Sequence, residues 1–198
     1  MSIPDFAERL AAAQRGDDAS FVVLFRSCQP ALLRYLTTID ASLAEDVAAE
    51  TWAAVVRNLR GFAGDEQGWR AWVFTIARAR LRDEQRRVFR RPVPVDAAAA
   101  FEAVPAPVDV AAAVEAMVST EAALALVGRL PKDQAEAVLL RHVAGLDVGH
   151  AAEVLGKQPG AVRVATHRGL RRLAEMLRPA DQSQGCNAAE LSSDRWVR

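Results

Sequence analysis

Of the 25 Lys and Arg residues in this 198-residue chain, only Lys132 and Lys157 are lysine, so positive charge here means arginine. Cysteine is equally scarce. Cys28 and Cys186 make neither a disulfide framework nor, with His142, His150 and His167, a metal-ligand spacing. No apolar run approaches the roughly 18 residues that span a bilayer. The start Met1-Ser2-Ile3-Pro4-Asp5 lacks the basic and apolar regions of a secretory signal. The expectation is a cytoplasmic protein with no direct membrane insertion. There is no Gly-rich phosphate loop, no pair of catalytic carboxylates and no nucleophile constellation. A DNA-processing enzyme of the recombinase kind would need such a nucleophile, and the one tyrosine, Tyr35, sits in an apolar helical context. Catalytic residues, metal and cofactor are all expected to be none, and the chain is not read as an enzyme.

Net charge is also missing, since 25 acids balance 25 bases. The zero hides segregation. Residues 76–91 hold seven arginines against Asp83 and Glu84, and residues 156–178 hold Lys157 and five arginines against Glu175. Residues 40–50 carry Asp40, Glu45, Asp46 and Glu50 with no base. Two basic patches and one acidic patch imply two anionic contacts and one contact of another kind.

Periodicity predicts helices throughout residues 4–91. Leu43, Val47, Thr51, Val55 and Leu59 recur every fourth residue, with Asp46, Glu50 and Arg57 on the opposite face. Ser42 and Glu45 have capping-box spacing, and Gly61 punctuates the end. A longer helix follows over 67–90, with Trp69, Trp72, Val73 and Ile76 on one side. Pro92, Pro94, Pro105 and Pro107 then mark residues 92–118 as a stiff, extended linker. Helix resumes near Ser119; Pro131 suits the first turn of another helix that Gly145 stops. The polar tail 179–198 has a composition that favours disorder. No strand-type alternation occurs, so the fold class is all-α: two small helical domains, 1–91 and 119–178, joined by the Pro-rich linker.

Residues 146–178 carry the strongest local signal. Asp147 is placed to cap a short helix Val148–Leu155, Gly156 turns the chain, and Pro159 opens a basic second helix. That is the layout of a helix-turn-helix. Val162, Thr166, Leu170, Leu173 and Leu177 are spaced to face a core, while Arg163, His167 and Arg171 lie on the other side with Arg168 and Arg172 alongside. Arginine in a major groove pairs bidentately with guanine, and neighbouring arginines neutralise phosphates.

The run Leu130-Pro131…Leu139-Leu140-Arg141…Gly145-Leu146…Leu155-Gly156…Pro159-Gly160-Ala161-Val162-Arg163…His167-Arg168-Gly169-Leu170-Arg171-Arg172-Leu173 resembles region four of the extracytoplasmic-function (ECF) sigma factors of the sigma-70 family. Ala13-Gln14-Arg15-Gly16-Asp17, Ala44-Glu45-Asp46-Val47…Glu50-Thr51-Trp52 and Trp72-Val73-Phe74-Thr75-Ile76-Ala77-Arg78 resemble region two, in the family's order. The resemblance implies a promoter-recognition subunit whose partners are core RNA polymerase, promoter DNA and an anti-sigma factor. It implies core-polymerase binding by Asp46, Glu50 and Arg57. Downstream-element contact is expected from Phe62, Trp69, Arg70, Arg78, Arg80 and Arg82, with Trp69 as a stacking surface and Trp72 as core. Upstream-element contact is expected from Gln158, Arg163, Val164, His167, Arg168 and Arg171. Three residues depart from the family's usual ones: Ala79 stands for Asn, Ala49 for Gln and Val164 for Ser. The alternative is a stand-alone helix-turn-helix transcriptional regulator, which leaves the acidic helix and the Trp-containing loop without a role.

Overall fold

A computed structural model describes residues 3–90 and 120–178. The linker over 92–118 and the tail over 179–198, with Cys186, fall outside the described residues. All regular structure among the described residues is helical.

In the first bundle, α1 (Phe6–Gln14) packs on α2 (Asp18–Ile39), which packs on α3 (Ala44–Asn58) and α4 (Glu66–Arg90). Asp17 caps α2 by accepting from the Ser20 N–H at 2.9 Å, and this hydrogen bonding holds its carboxyl below the usual range. Pro30 lies on the exposed side of α2, where it removes one donor from the backbone ladder. Leu24, Cys28, Leu32, Tyr35 and Leu36 of α2 meet Val47, Thr51 and Val55 of α3 and Trp69, Val73, Phe74 and Ala77 of α4 in the core. Each large apolar side chain there contributes at most about 1.5–3 kcal/mol. Cys28 is a small buried residue whose thiol is pushed up by burial. The Thr51 hydroxyl is satisfied by the Val47 carbonyl at 2.7 Å. The Gln14 amide donates to the Leu59 and Phe62 carbonyls at 3.0 and 2.8 Å, tying α1 to the loop before α4.

The expected capping box does not form. A 3-10 turn, Ala41–Leu43, leads into α3, which places Ser42 outside the helix, and its hydroxyl donates to Asp40 instead at 2.7 Å. Glu45 and Asp46 still occupy the first turn of α3, where the helix dipole favours negative charge.

The second bundle comprises α5 (residues 120–128), α6 (Lys132–Val138), α7 (Val148–Leu155) and α8 (Pro159–Met176). Pro131 sits one residue outside α6, where its carbonyl accepts from Gln134 and Ala135. The helix then widens into a π turn, Leu139–Val143, and Gly145 ends it at φ 69°. Asp147 caps α7 through the His150 N–H at 2.9 Å, and Gly156 makes the turn at φ 63°, a left-handed conformation natural to glycine. Pro159 is the first residue of α8.

The inner face of α8 differs from the expected one. Leu170 and Leu177 are exposed, and the helix seats itself through Val162 and Gly169, with Ala165, Leu173 and Met176 half-buried against the core. A strict four-residue step gains about 40° per turn on a 3.6-residue helix, so it walks off the buried side; a seven-residue step stays on it. At Gly169 a Cβ would lie 2.8 Å from a Val138 methyl, so glycine sets how closely α8 approaches α6.

The two bundles are docked. Helix α4 runs against α7, α2 against α6 and the π turn, and the buried apolar side chains of both bundles form one continuous cluster.

Candidate polymerase and nucleic-acid interfaces

Three surfaces carry the candidate residues. On α3, Val47, Thr51 and Val55 turn inward, which leaves Asp46, Glu50 and Arg57 exposed along the outer side. Val56, also exposed, gives this face an apolar spot that the charge pattern did not point to.

The second surface is a groove of about 900 Å³ between the end of α3 and α4. Phe62, Trp72, Ile76 and Arg80 line it, with Asn58, Thr75 and Asp83 as polar neighbours. Phe62 stacks on Trp72 with ring centres 5.0 Å apart and planes 25° from parallel, and both pack against Trp69. The two tryptophans exchange the burial expected of them. Trp69 has no exposed surface, whereas Trp72 is half-buried and faces the groove. The buried stripe of α4 is centred on Trp69, Val73, Ala77 and Leu81, which swings Trp72, Ile76 and Arg80 to its flank.

The arginines of α4 divide likewise. Arg80 is half-buried in the groove and Arg82 is exposed. Arg82 lines a basic depression with Arg86, Arg90 and, from the second bundle, Lys132. Arg70 and Arg78, by contrast, are buried. Arg70 pairs with Glu66 one turn earlier at 2.8 Å. Arg78 reaches across to Glu136 of α6 at 2.9 Å. Both pairings have one cause: a guanidinium taken out of water needs a carboxylate beside it.

On α8, Arg163, Val164, His167, Arg168 and Arg171 are exposed on the side opposite Val162 and Gly169, and Gln158, also exposed, stands at the start of the helix just before Pro159. Arg171 pairs with Glu175 at 3.1 Å on the surface, an interaction of little energetic weight. The Thr166 hydroxyl is turned back onto the Val162 carbonyl at 2.9 Å. Lys157, at the turn, pairs with Asp133 at 2.9 Å and holds that carboxyl below the usual range. His142 and His150 lie outside this face, and no group of three or more potential metal ligands occurs among the described residues. None of the described helices is long and apolar enough to cross a membrane.

A family model for sigma-70 region 2 matches residues 24–91, and one for sigma-70 region 4 matches residues 120–173. The chain is 35% identical over 170 residues to the ECF RNA polymerase sigma factor ShbA of Streptomyces griseus, covering 81% of this chain and 89% of that one. It is an ECF sigma factor. BldN of Streptomyces coelicolor is 32% identical over 86% of this sigma factor, which spans 65% of that relative's length. SigD of Mycobacterium tuberculosis is 30% identical, covering 84% of this chain and 81% of that one. Two solved structures share the fold. CnrH in complex with the cytosolic domain of CnrY has TM-score 0.58 at 24% identity, covering 86% of this chain and 95% of CnrH. The sigma factor RpoE in complex with the anti-sigma factor NepR from Bartonella quintana has TM-score 0.58 at 22% identity, with coverage of 79% and 96%. The family consists of non-catalytic initiation factors.

In this sigma factor the region 2 match contains the α3 face and the groove, and the region 4 match contains the helix-turn-helix. Glu136 and Gln67, both in the docked interface, escaped the sequence reading. Glu136 carried a signal in being the lone acid in the apolar run 135–140. The Gln67 amide, which accepts from the Asp147 N–H and donates to the Gly145 carbonyl, both at 3.2 Å, carried none.

Proposed function

We propose that this sigma factor binds core RNA polymerase through the outer side of α3 and directs promoter-specific initiation in the cytoplasm. Asp46, Glu50 and Arg57 make the polymerase contact. The groove takes unpaired bases of the downstream element, with Phe62 and Trp72 as stacking surfaces and Arg80 and Arg82 on the phosphates. Helix α8 reads the upstream element through Gln158, Arg163, Val164, His167, Arg168 and Arg171. The polymerase supplies all the chemistry, and the regions 1–91 and 119–178 act as the two functional domains. An anti-sigma factor covers these charged faces in the free protein, a reading supported by RpoE of Bartonella quintana, whose structure is a complex with the anti-sigma factor NepR. The observation that carries the reading is the coexistence of an aromatic-lined groove and a separate exposed basic recognition helix on one chain. A stand-alone regulator needs only the second.

Run-off transcription with core polymerase tests the whole. Product from a cognate promoter is expected only when the protein is added. Reversing charge at both Asp46 and Glu50 is expected to abolish pull-down of core polymerase with helical circular dichroism unchanged. Undiminished binding of that double variant removes α3 as the docking face.

A further inference from the structure

Arg78 is the one arginine of α4 committed to the other bundle. Its Nε and Nη2 donate to Glu136 Oε2 at 3.2 and 2.9 Å, and Nη1 donates to the Val154 carbonyl at 3.2 Å. The side chains are 7% and 3% exposed, so the pair lies in the interior between the bundles. Tyr35 completes the cluster. Its hydroxyl is buried beside Arg78, and burial, reinforced by the Glu136 charge and opposed by that of Arg78, pushes the phenol above its ordinary range. Such a pair adds little net stability, yet removing either partner strands a charge in the interior. The rest of the polar seam is light: the Gln67 amide on the Gly145–Asp147 backbone, and Lys132 with Gln85 at 3.4 Å. Docking covers neither the acidic side of α3 nor the outer side of α8, whose residues stay exposed. What it withdraws is Arg78, two residues from Arg80 of the groove.

We propose that Arg78 and Glu136 form a latch between the two bundles, and that opening exchanges the Glu136 carboxylate for a nucleic-acid phosphate on the same guanidinium. The closed form is therefore competent to dock on polymerase but deficient in holding single-stranded DNA. This rests on the reading of α4 as a DNA-contacting helix.

The test uses the full chain, small-angle X-ray scattering, and a short fluorescein-labelled single-stranded DNA of random sequence. Glu136→Gln is expected to enlarge the radius of gyration and tighten oligonucleotide binding roughly fivefold or more, the scale of an ordinary conformational coupling. Adding Arg78→Ala to that variant is expected to abolish the gain while the particle stays expanded. The swap Arg78→Glu with Glu136→Arg is expected to restore compact scattering without the gain. Gln67→Ala, which touches no charge, moves scattering the same way by less and serves should Glu136→Gln fail to fold. Wild-type scattering in both Glu136→Gln and Gln67→Ala overturns the latch. Expansion without Arg78-dependent tightening overturns the exchange and, separately, the reading of α4 at this position.

Discussion

Helices α4 and α8 carry comparable excesses of arginine, yet they use them differently. Every candidate contact on α8 faces water, because that helix lies at the edge of its bundle and touches its neighbours along one narrow line. Helix α4 is central: α2 and α3 press on it from its own bundle and α7 from the other. Two of its arginines consequently became interior residues with acidic partners, and one tryptophan became core. A basic helix at an edge can be read as a surface. A basic helix in the middle must be sorted residue by residue, and the sorting depends on what the neighbours bring.

Substitution at the two tryptophans sharpens this contrast most. Trp69→Ala empties a fully buried site and is expected to cost about 3–5 kcal/mol in denaturant unfolding. Trp72→Ala is expected to cost markedly less stability while weakening single-strand capture by about 1–3 kcal/mol. Equal unfolding costs would mean that the groove wall is ordinary core. On α8 the expectation is reversed, with function lost and stability kept. Arg163→Ala or Arg168→Ala is expected to leave the melting temperature within error and weaken promoter binding by about 1–3 kcal/mol if the residue reads a base. A phosphate contact instead lowers affinity uniformly and reduces the salt slope by about one. Neither effect in either variant would place the DNA-reading face elsewhere on the helix.

The smallest effect belongs to the cap that positions α8 through α7. Hydrogen bonds from the His150 backbone and ring hold the Asp147 carboxyl below its usual range. The stabilisation is therefore present above the ordinary aspartate range, about pH 4, and is lost as pH falls through the lower folded value. Asp147→Ala is expected to cost about 1 kcal/mol near neutrality. The difference in melting temperature between the two proteins should shrink toward zero in more acid solution. A difference independent of pH would show that the carboxylate charge plays no part.

Helix positions and the helix-turn-helix were legible because their determinants are local. Asp147, Gly156 and Pro159 each act within a few residues, and all three sit where expected. Ser42 misled because a 3-10 entry, which leaves little sequence trace, moved the helix start past it. On α8 a four-residue step pointed to Leu170 and Leu177, while the seat runs through Val162 and Gly169; the glycine, with no side chain to count, was invisible to a hydrophobicity pattern. The fate of Arg78 was not legible at all. It depends on Glu136, 58 positions away, and on a docking between bundles that no local period encodes.

The seating of α8 also bears on how such proteins diverge. Only Val162 and Gly169 of its eighteen residues are buried. Sequence drift at its exposed positions, away from the half-buried Ala165, Leu173 and Met176, meets little resistance from folding, so on the proposed reading new promoter preferences arise by replacing side chains that hold nothing together. The converse applies at Gly169, where even a methyl group meets Val138. On the proposed reading a lineage is thus free to rewrite what the helix reads, provided it keeps the residues that seat it.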